Sequence, residues 1–133
     1  MALFDAMSIA GSGMLAHRKW LDAVSDNISN INTASRTNED AFKERMVDVQ
    51  AVDYGSGDGG VRVAGVQFGS GEGRLAYEPD NPLADAEGYV RRPDIDLGTQ
   101  MAQMMMAQRS YQANLAVVDR ARDSYNAAIN LGK

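Results

Sequence analysis

The residues with the most chemical potential in this chain are methionines: Met101, Met104, Met105 and Met106 place four thioethers within six positions. Thioether sulfur binds soft Cu(I), but such a site needs two to four donors converging on one point, commonly with His or Cys beside them. Cysteine is absent, and the single histidine, His17, is far away in sequence. On a helix Met101, Met104 and Met105 share a face while Met106 points away from it. Packing is therefore favoured over metal, because the flexible Met side chain fills irregular apolar gaps.

Other candidates for chemistry are weaker. His17 falls at an apolar-face position, where a half-buried ring with a satisfied hydrogen bond is favoured over a pH-sensitive contact. The stretches GSGDGG and GSGEGR lack the Lys-Ser/Thr of a phosphate loop and the strand-to-helix setting of a dinucleotide fingerprint, so they read as turns. Asp53 and Asp58 lie near glycines, yet the spacing and closing Glu of an EF-hand are missing. Glu39 and Asp40 are paired carboxylates with nothing apolar around them to raise a pKa. No set of nucleophile, base and oxyanion donors is present, and the expectation is a protein that is not an enzyme and takes no cofactor or metal.

The chain has 133 residues and a net charge of -5, most of it between positions 33 and 93. An acidic chain without a basic stripe is a poor counterion for phosphate backbones, which excludes nucleic acid as the expected partner. The first residues lack the basic region of a signal peptide, since Asp5 comes early and Arg18 and Lys19 come late. No run reaches the roughly 20 apolar residues of a membrane span, so direct membrane insertion is not expected. Any route out of the cytoplasm is expected to leave the chain uncleaved.

Three segments must position whatever surface the methionines form. Residues 1–32 carry a heptad pattern, Met7, Met14, Leu21 and Ile28 with Ala10, His17, Val24 and Ile31 three positions later. Gly11 and Gly13 weaken this helix, at about 1 kcal/mol each relative to Ala. Its end is expected at Asn30–Thr33, where short polar side chains compete for the backbone. Residues 94–133 repeat the pattern in two rows: Leu97, Met104, Tyr111, Val118 and Tyr125, and Met101, Gln108, Leu115, Arg122 and Ile129. Asp94 after Pro93 suggests the start, and Gly132 with Lys133 the end. Residues 33–93 hold eight of the thirteen glycines between 55 and 73. Alternation predicts strands at Met46–Val52 and Val61–Phe68 joined through YGSGDGG, with a third short strand at Arg74–Tyr77. These make a small hairpin or three-stranded sheet, followed by an extended, proline-stiffened connector at Glu78–Pro82.

The expected fold is mainly α with a small β part. Two long terminal helices form an antiparallel coiled-coil hairpin around a Gly-rich β-hairpin segment. Apolar strips left uncovered by one such hairpin mark association sites, and head-to-tail repetition that does not close gives a helical assembly. A finite dimeric binding hairpin, secreted as a small protein, is the alternative; a hydrolase with an unrecognised site is a more distant one.

The two ends carry a resemblance. LDAVSDNISNINTASRT (21–37) resembles the N-terminal signature of the flagellar rod and hook axial proteins, with Leu21, Ser25, Asn27, Ile28, Ser29, Asn30, Asn32 and Thr33 on the pattern. RSYQANLAVVDRARDSYNAAINLGK is similar to their C-terminal motif through Arg109, Tyr111, Gln112, Ala113 and Asn114. YEPDNPLADAEGYVRRPDIDLGTQMAQM resembles the proximal-rod branch of that family. The middle departs from it: Asn38–Phe42 stands where a Gly-Gly-Pro-Tyr-like stretch is common, and Asn81 where His is common.

The resemblance implies a subunit of the basal-body rod that leaves through the flagellar type III export apparatus. It implies helical assembly in the periplasm with copies of itself, with proximal and distal rod relatives, and with an adaptor to the membrane ring and export gate. It also implies terminal helices that order on assembly. The seam is assigned to Met7, Met14, Leu21, Val24, Ile28 and Ile31, facing Leu97, Met101, Met104, Tyr111, Leu115, Val118 and Tyr125. Asn27, Asn30 and Asn32 are expected to end the first helix. Tyr111, Gln112 and Asn114 are expected to touch neighbours or the first helix.

Overall fold

The computed structural model describes residues 2–55 and 59–132. Helix α1 spans Ala2–Asn30 and helix α2 Leu97–Leu131; between them run β1 (Arg45–Asp53), β2 (Gly59–Phe68), β3 (Arg74–Tyr77) and β4 (Tyr89–Arg92). The class is α+β. The centre of the YGSGDGG turn, including Asp58, lies outside the described residues, as does Lys133. The chain divides into two compact units. One is drawn from Met1–Leu21, Val47–Gly65 and Met105–Lys133, and the other from Asp22–Met46 and Val66–Met104.

Helix α1 ends where its polar residues predict. The Asn30 amide donates back to the Asp26 carbonyl (2.9 Å), and the Thr33 hydroxyl donates to the Asn30 side chain (3.2 Å). Helix α2 begins three residues later than Asp94 suggests, because Asp96 is its cap: the Asp96 carboxylate accepts the Thr99 amide (2.6 Å) and the Thr99 hydroxyl (2.7 Å). A side-chain acceptor for a first-turn amide is what sets a helix start, and Asp96 supplies it to Thr99.

The expected pairing of the first two strands is present, but the third strand does not join them and pairs with a fourth. β1 pairs with β2, and β3 pairs antiparallel with β4, in register Arg74 with Arg92 and Tyr77 with Tyr89. Nor is Glu78–Pro82 an extended connector. It opens a tight loop in which the Asn81 amide reaches the Glu78 carbonyl (3.0 Å) and the Glu78 amide reaches the Gly88 carbonyl (2.8 Å). Asx turns outweigh proline stiffness here: the Asn81 side chain accepts the Leu83 amide (3.0 Å), and Asp85 accepts those of Glu87 (3.1 Å) and Tyr89 (2.8 Å). Gly88 (φ 85°) turns the loop back under the Tyr77 ring, and Tyr77 and Tyr89 meet edge to face at 5.3 Å.

Arg91 and Arg92 tie this unit's loops together. Arg91 donates to the carbonyls of Thr37 (2.7 Å) and Glu72, and its backbone bridges Ser35. Arg92 pairs with Glu78 (2.6 Å) and donates to the Asn32 carbonyl. Val90, just before them, is fully buried.

Several carboxyls in this unit titrate below their ordinary range. Asp85 is held down chiefly by the Tyr89 amide, then by Thr37 and by the Glu87 and Gly88 amides, against an opposing effect of burial. Asp96 is held down by the Thr99 hydroxyl and amide. A carboxyl lowered on folding contributes stability that is complete above its unfolded pKa of about 3.9 and is lost as pH falls through the folded value. The β3–β4 loop and the first turn of α2 are therefore expected to keep their protection at pH 5 and lose it first between about pH 3.9 and the folded values below it. Amide exchange at Tyr89 and Thr99 across that range checks this; protection that vanishes already at pH 5 contradicts it.

Candidate functional site

The helices bury small residues and turn large ones outward. On α1 the buried positions are Ala10, Gly13 and Ala16 in the first unit and Ala23, Val24 and Asn27 in the second. On α2 they are Ala107 and Ala121 in the first unit and Gln100 in the second. The seam residues expected on α2 do not all lie on its buried face. Its inward row is 100, 107, 114 and 121, whereas Leu97, Met101, Leu115 and Tyr125 are exposed, Met101 at 53% and Leu115 at 40%. Met104, Tyr111 and Val118 are half-buried, as are Met7, Met14, Leu21 and Ile28 on α1 and Ile31 just past its end. Reading for hydrophobicity selects the largest side chains, while close approach of two backbones selects the smallest.

In the first unit the approach is visible at Gly13. A Cβ there would lie 2.7 Å from the Asn114 amide nitrogen, the end of a side chain that would have to swing aside. The Asn114 side chain also lies 3.4 Å from Nδ1 of His17. That nitrogen is committed to the Gly13 carbonyl at 2.6 Å, which makes it the donor and leaves Asn114 in packing contact with it. His17 is thus a half-buried ring with a satisfied hydrogen bond. Nearer the ends, Phe4 meets Tyr125 edge to face at 5.8 Å. Ser12 anchors β2 to α1: its hydroxyl donates to the Ile9 carbonyl (2.7 Å) and accepts the Val61 amide (3.1 Å), with Gly60 passing close by. The Gly-Ser-Gly stretch that weakens the isolated helix is what lets two other elements dock on it.

In the second unit Asn27 does not serve the end of α1. It is fully buried, and its amide pairs with the backbone of Arg45, accepting its N–H (2.8 Å) and donating to its carbonyl (3.0 Å). Its remaining N–H donates to Gln100 Oε1 (3.0 Å), and Gln100 Nε2 donates to Glu44 (2.6 Å). Sequence reasoning missed Gln100, whose signal was its place seven residues before Ala107 on the same face. Asn32 lends its carbonyl to Arg92, Thr33 bonds Asn30, and Arg109 and Gln112 face solvent.

Among the described residues no three His, Asp or Glu side chains gather where a metal could be held, and no helix is long and apolar enough to cross a membrane. The acid-rich depression of the second unit, lined by Glu44, Glu72, Ser70 and Asp94 among others, includes no histidine. What remains is an apolar exterior: Met101 in the second unit, and Phe4, Leu15, Met105, Met106, Leu115, Val117, Tyr125 and Ile129 in the first, all exposed.

Comparison with known proteins gives this exterior its context. Residues 7–34 match the family model described as flagella basal body rod protein, and residues 86–131 match the C-terminal model of the flagellar basal body rod FlgEFG proteins. The flagellar basal-body rod protein FlgC of Salmonella typhimurium is 37% identical over the whole of both chains. That of Escherichia coli O157:H7 is 35% identical, and that of Bacillus subtilis 29%, again over full length. These relatives give no support to a secreted dimeric binding hairpin. The chain belongs to the flagellar basal-body rod protein family and is a structural subunit of the bacterial flagellar basal body.

Proposed function

We propose that the subunit polymerises helically through its two terminal helices and forms part of the shaft that transmits torque. The observation that carries this reading is the inversion of side-chain size: small residues face the chain's interior while Met101, Met105, Met106 and Leu115 stand outside it. A monomer has no use for such an exterior, whereas burial against neighbours stabilises it at about 25 cal/mol per Å² of apolar surface. Within the chain α1 and α2 pair antiparallel as a coiled coil. Within the first unit the contacts 4 with 125 and 13 with 114 support this, since one number rises as the other falls; within the second, 27 touches 100. Residues 1–32 and 94–133 act as the assembling core, and 33–93 as the lateral segment.

The occupants of the outer faces are other copies and related proximal and distal rod proteins, with an adaptor at the membrane ring and export gate. The chain reaches the periplasm through the flagellar type III apparatus without cleavage, and works there without catalysis or cofactor. Hydrogen exchange on the purified chain and on the same chain in isolated basal bodies tests the reading. Protection at residues 2–30 and 97–131 is expected to rise at least tenfold on assembly. Equal protection in both states would favour a self-contained hairpin.

A further inference from the structure

The interior row of α2 is close to periodic in the first unit: Ala107 and Ala121 flank Asn114 at seven-residue steps, and the buried positions of α1 in that unit are Ala10, Gly13 and Ala16. Rows of Ala and Gly offer almost no shape by which one alignment is distinguished from another displaced by a heptad. Met101, Met105, Met106 and Leu115 face outward and add nothing to the row. Packing of the Ala and Gly row alone therefore defines the alignment weakly.

We propose that Asn27 and Gln100 are a register lock for the two terminal helices. The proposal rests on the antiparallel pairing proposed above. Asn27 is 0% exposed and Gln100 1%, the two polar residues among the buried side chains of their unit. Each polar atom of the Asn27 amide has a partner, two on the backbone of Arg45 and one on Gln100. Gln100 passes the chain of bonds to Glu44, which immediately precedes Arg45. The start of β1 is thereby bonded to both helices through two amides. In an alignment moved by seven residues, Ala107 would stand opposite Asn27. The alanine has neither donor nor acceptor, and Asn27 and Gln100 would both be buried without each other. Buried amides are known to set register in coiled coils in this way, at some expense in stability. The outward faces then present one pattern of Met and Leu to neighbouring subunits, which is what a helical lattice needs from each copy.

The absence of native cysteine makes the test direct. Full-length chains carrying Gly13→Cys are combined with Asn114→Cys, which reports the alignment seen here, or with Ala107→Cys or Ala121→Cys, which report displacements by a heptad. After equilibration in a glutathione redox buffer, intrachain disulfides are counted on non-reducing gels. The 13–114 pair is expected to exceed either displaced pair at least tenfold. Adding Asn27→Leu with Gln100→Leu is expected to lower that ratio by tenfold or more while circular dichroism retains the helix signal. Gln100→Met, which leaves Asn27 bonded to Arg45, decides the matter if the double variant fails to fold; it is expected to lower the ratio at least threefold. An unchanged ratio in a folded variant overturns the lock and leaves the pairing intact. Absence of all three disulfides in the otherwise native chain overturns the pairing itself, and the lock with it.

Discussion

Replacing Gly73 by alanine is expected to lower the stability of the chain by at least about 3 kcal/mol, the largest loss expected from adding a single methyl group. Gly73 has φ of +57°, a conformation that costs an L-residue roughly 1–2 kcal/mol. The added Cβ would also lie 2.2 Å from the Arg92 carbonyl oxygen and 2.7 Å from the Ala41 Cβ. Neither obstacle is the end of a flexible side chain. The Arg92 carbonyl belongs to β4, paired through Arg74 next door, and Ala41 is buried. Relief therefore requires separating β4 from the loop that precedes β3, which undoes the contacts of Arg91 and Arg92 as well. Thermal unfolding of the purified chain and the cellular level of the subunit are the readouts. A shift in melting temperature of a degree or less would show that this corner is looser than the structure has it.

Leu115→Asp is expected to do the reverse, leaving the subunit's own stability within about 0.5 kcal/mol and abolishing rod formation. Leu115 is 40% exposed on the outer side of α2, so a carboxylate there meets water in the free chain. Against an apolar neighbour the same carboxylate would be desolvated without a partner, at several kcal/mol per subunit. Because a rod contains many copies, each contact loses that amount. The cells are expected to be non-motile, to hold normal amounts of the subunit, and to lack it in isolated basal bodies. Normal motility would remove Leu115 from the assembly face. Met101→Asp, in the second compact unit, is expected to behave alike.

Much of this was legible in the residues. The heptads, the polar stop after Asn30 and the alternation of β1 and β2 all mark elements that the structure contains. The signal failed where several weak preferences compete. Tyr89–Arg92 has only four residues and two are arginines, so alternation did not reveal β4. What builds that strand is the glycine turn at Gly88 and the carbonyls that the two guanidiniums gather. The start of α2 moved because capping is decided by which side chain finds a first-turn amide, and Asp96 with Thr99 satisfies that. On α2 apolar periodicity marks Leu97, Met101 and Leu115 along with the half-buried Met104 and Tyr111, because it reports side-chain type and does not separate an inner face from an outer one. Asn27 belonged to a recognisable motif, but its bonds to Arg45 and Gln100 come from residues 18 and 73 positions away.

The alanine-lined interior has a thermodynamic consequence. Burying alanine removes far less apolar area from water than burying leucine, so little of the free energy that holds α1 and α2 together is available within one chain. The remainder enters through the outer faces, and it depends on how many neighbours are present. Folding of the helices and growth of the polymer are then linked by mass action, and the midpoint of thermal unfolding becomes a function of subunit concentration. On the proposed assembly the chain gains rigidity as neighbours cover its outer faces.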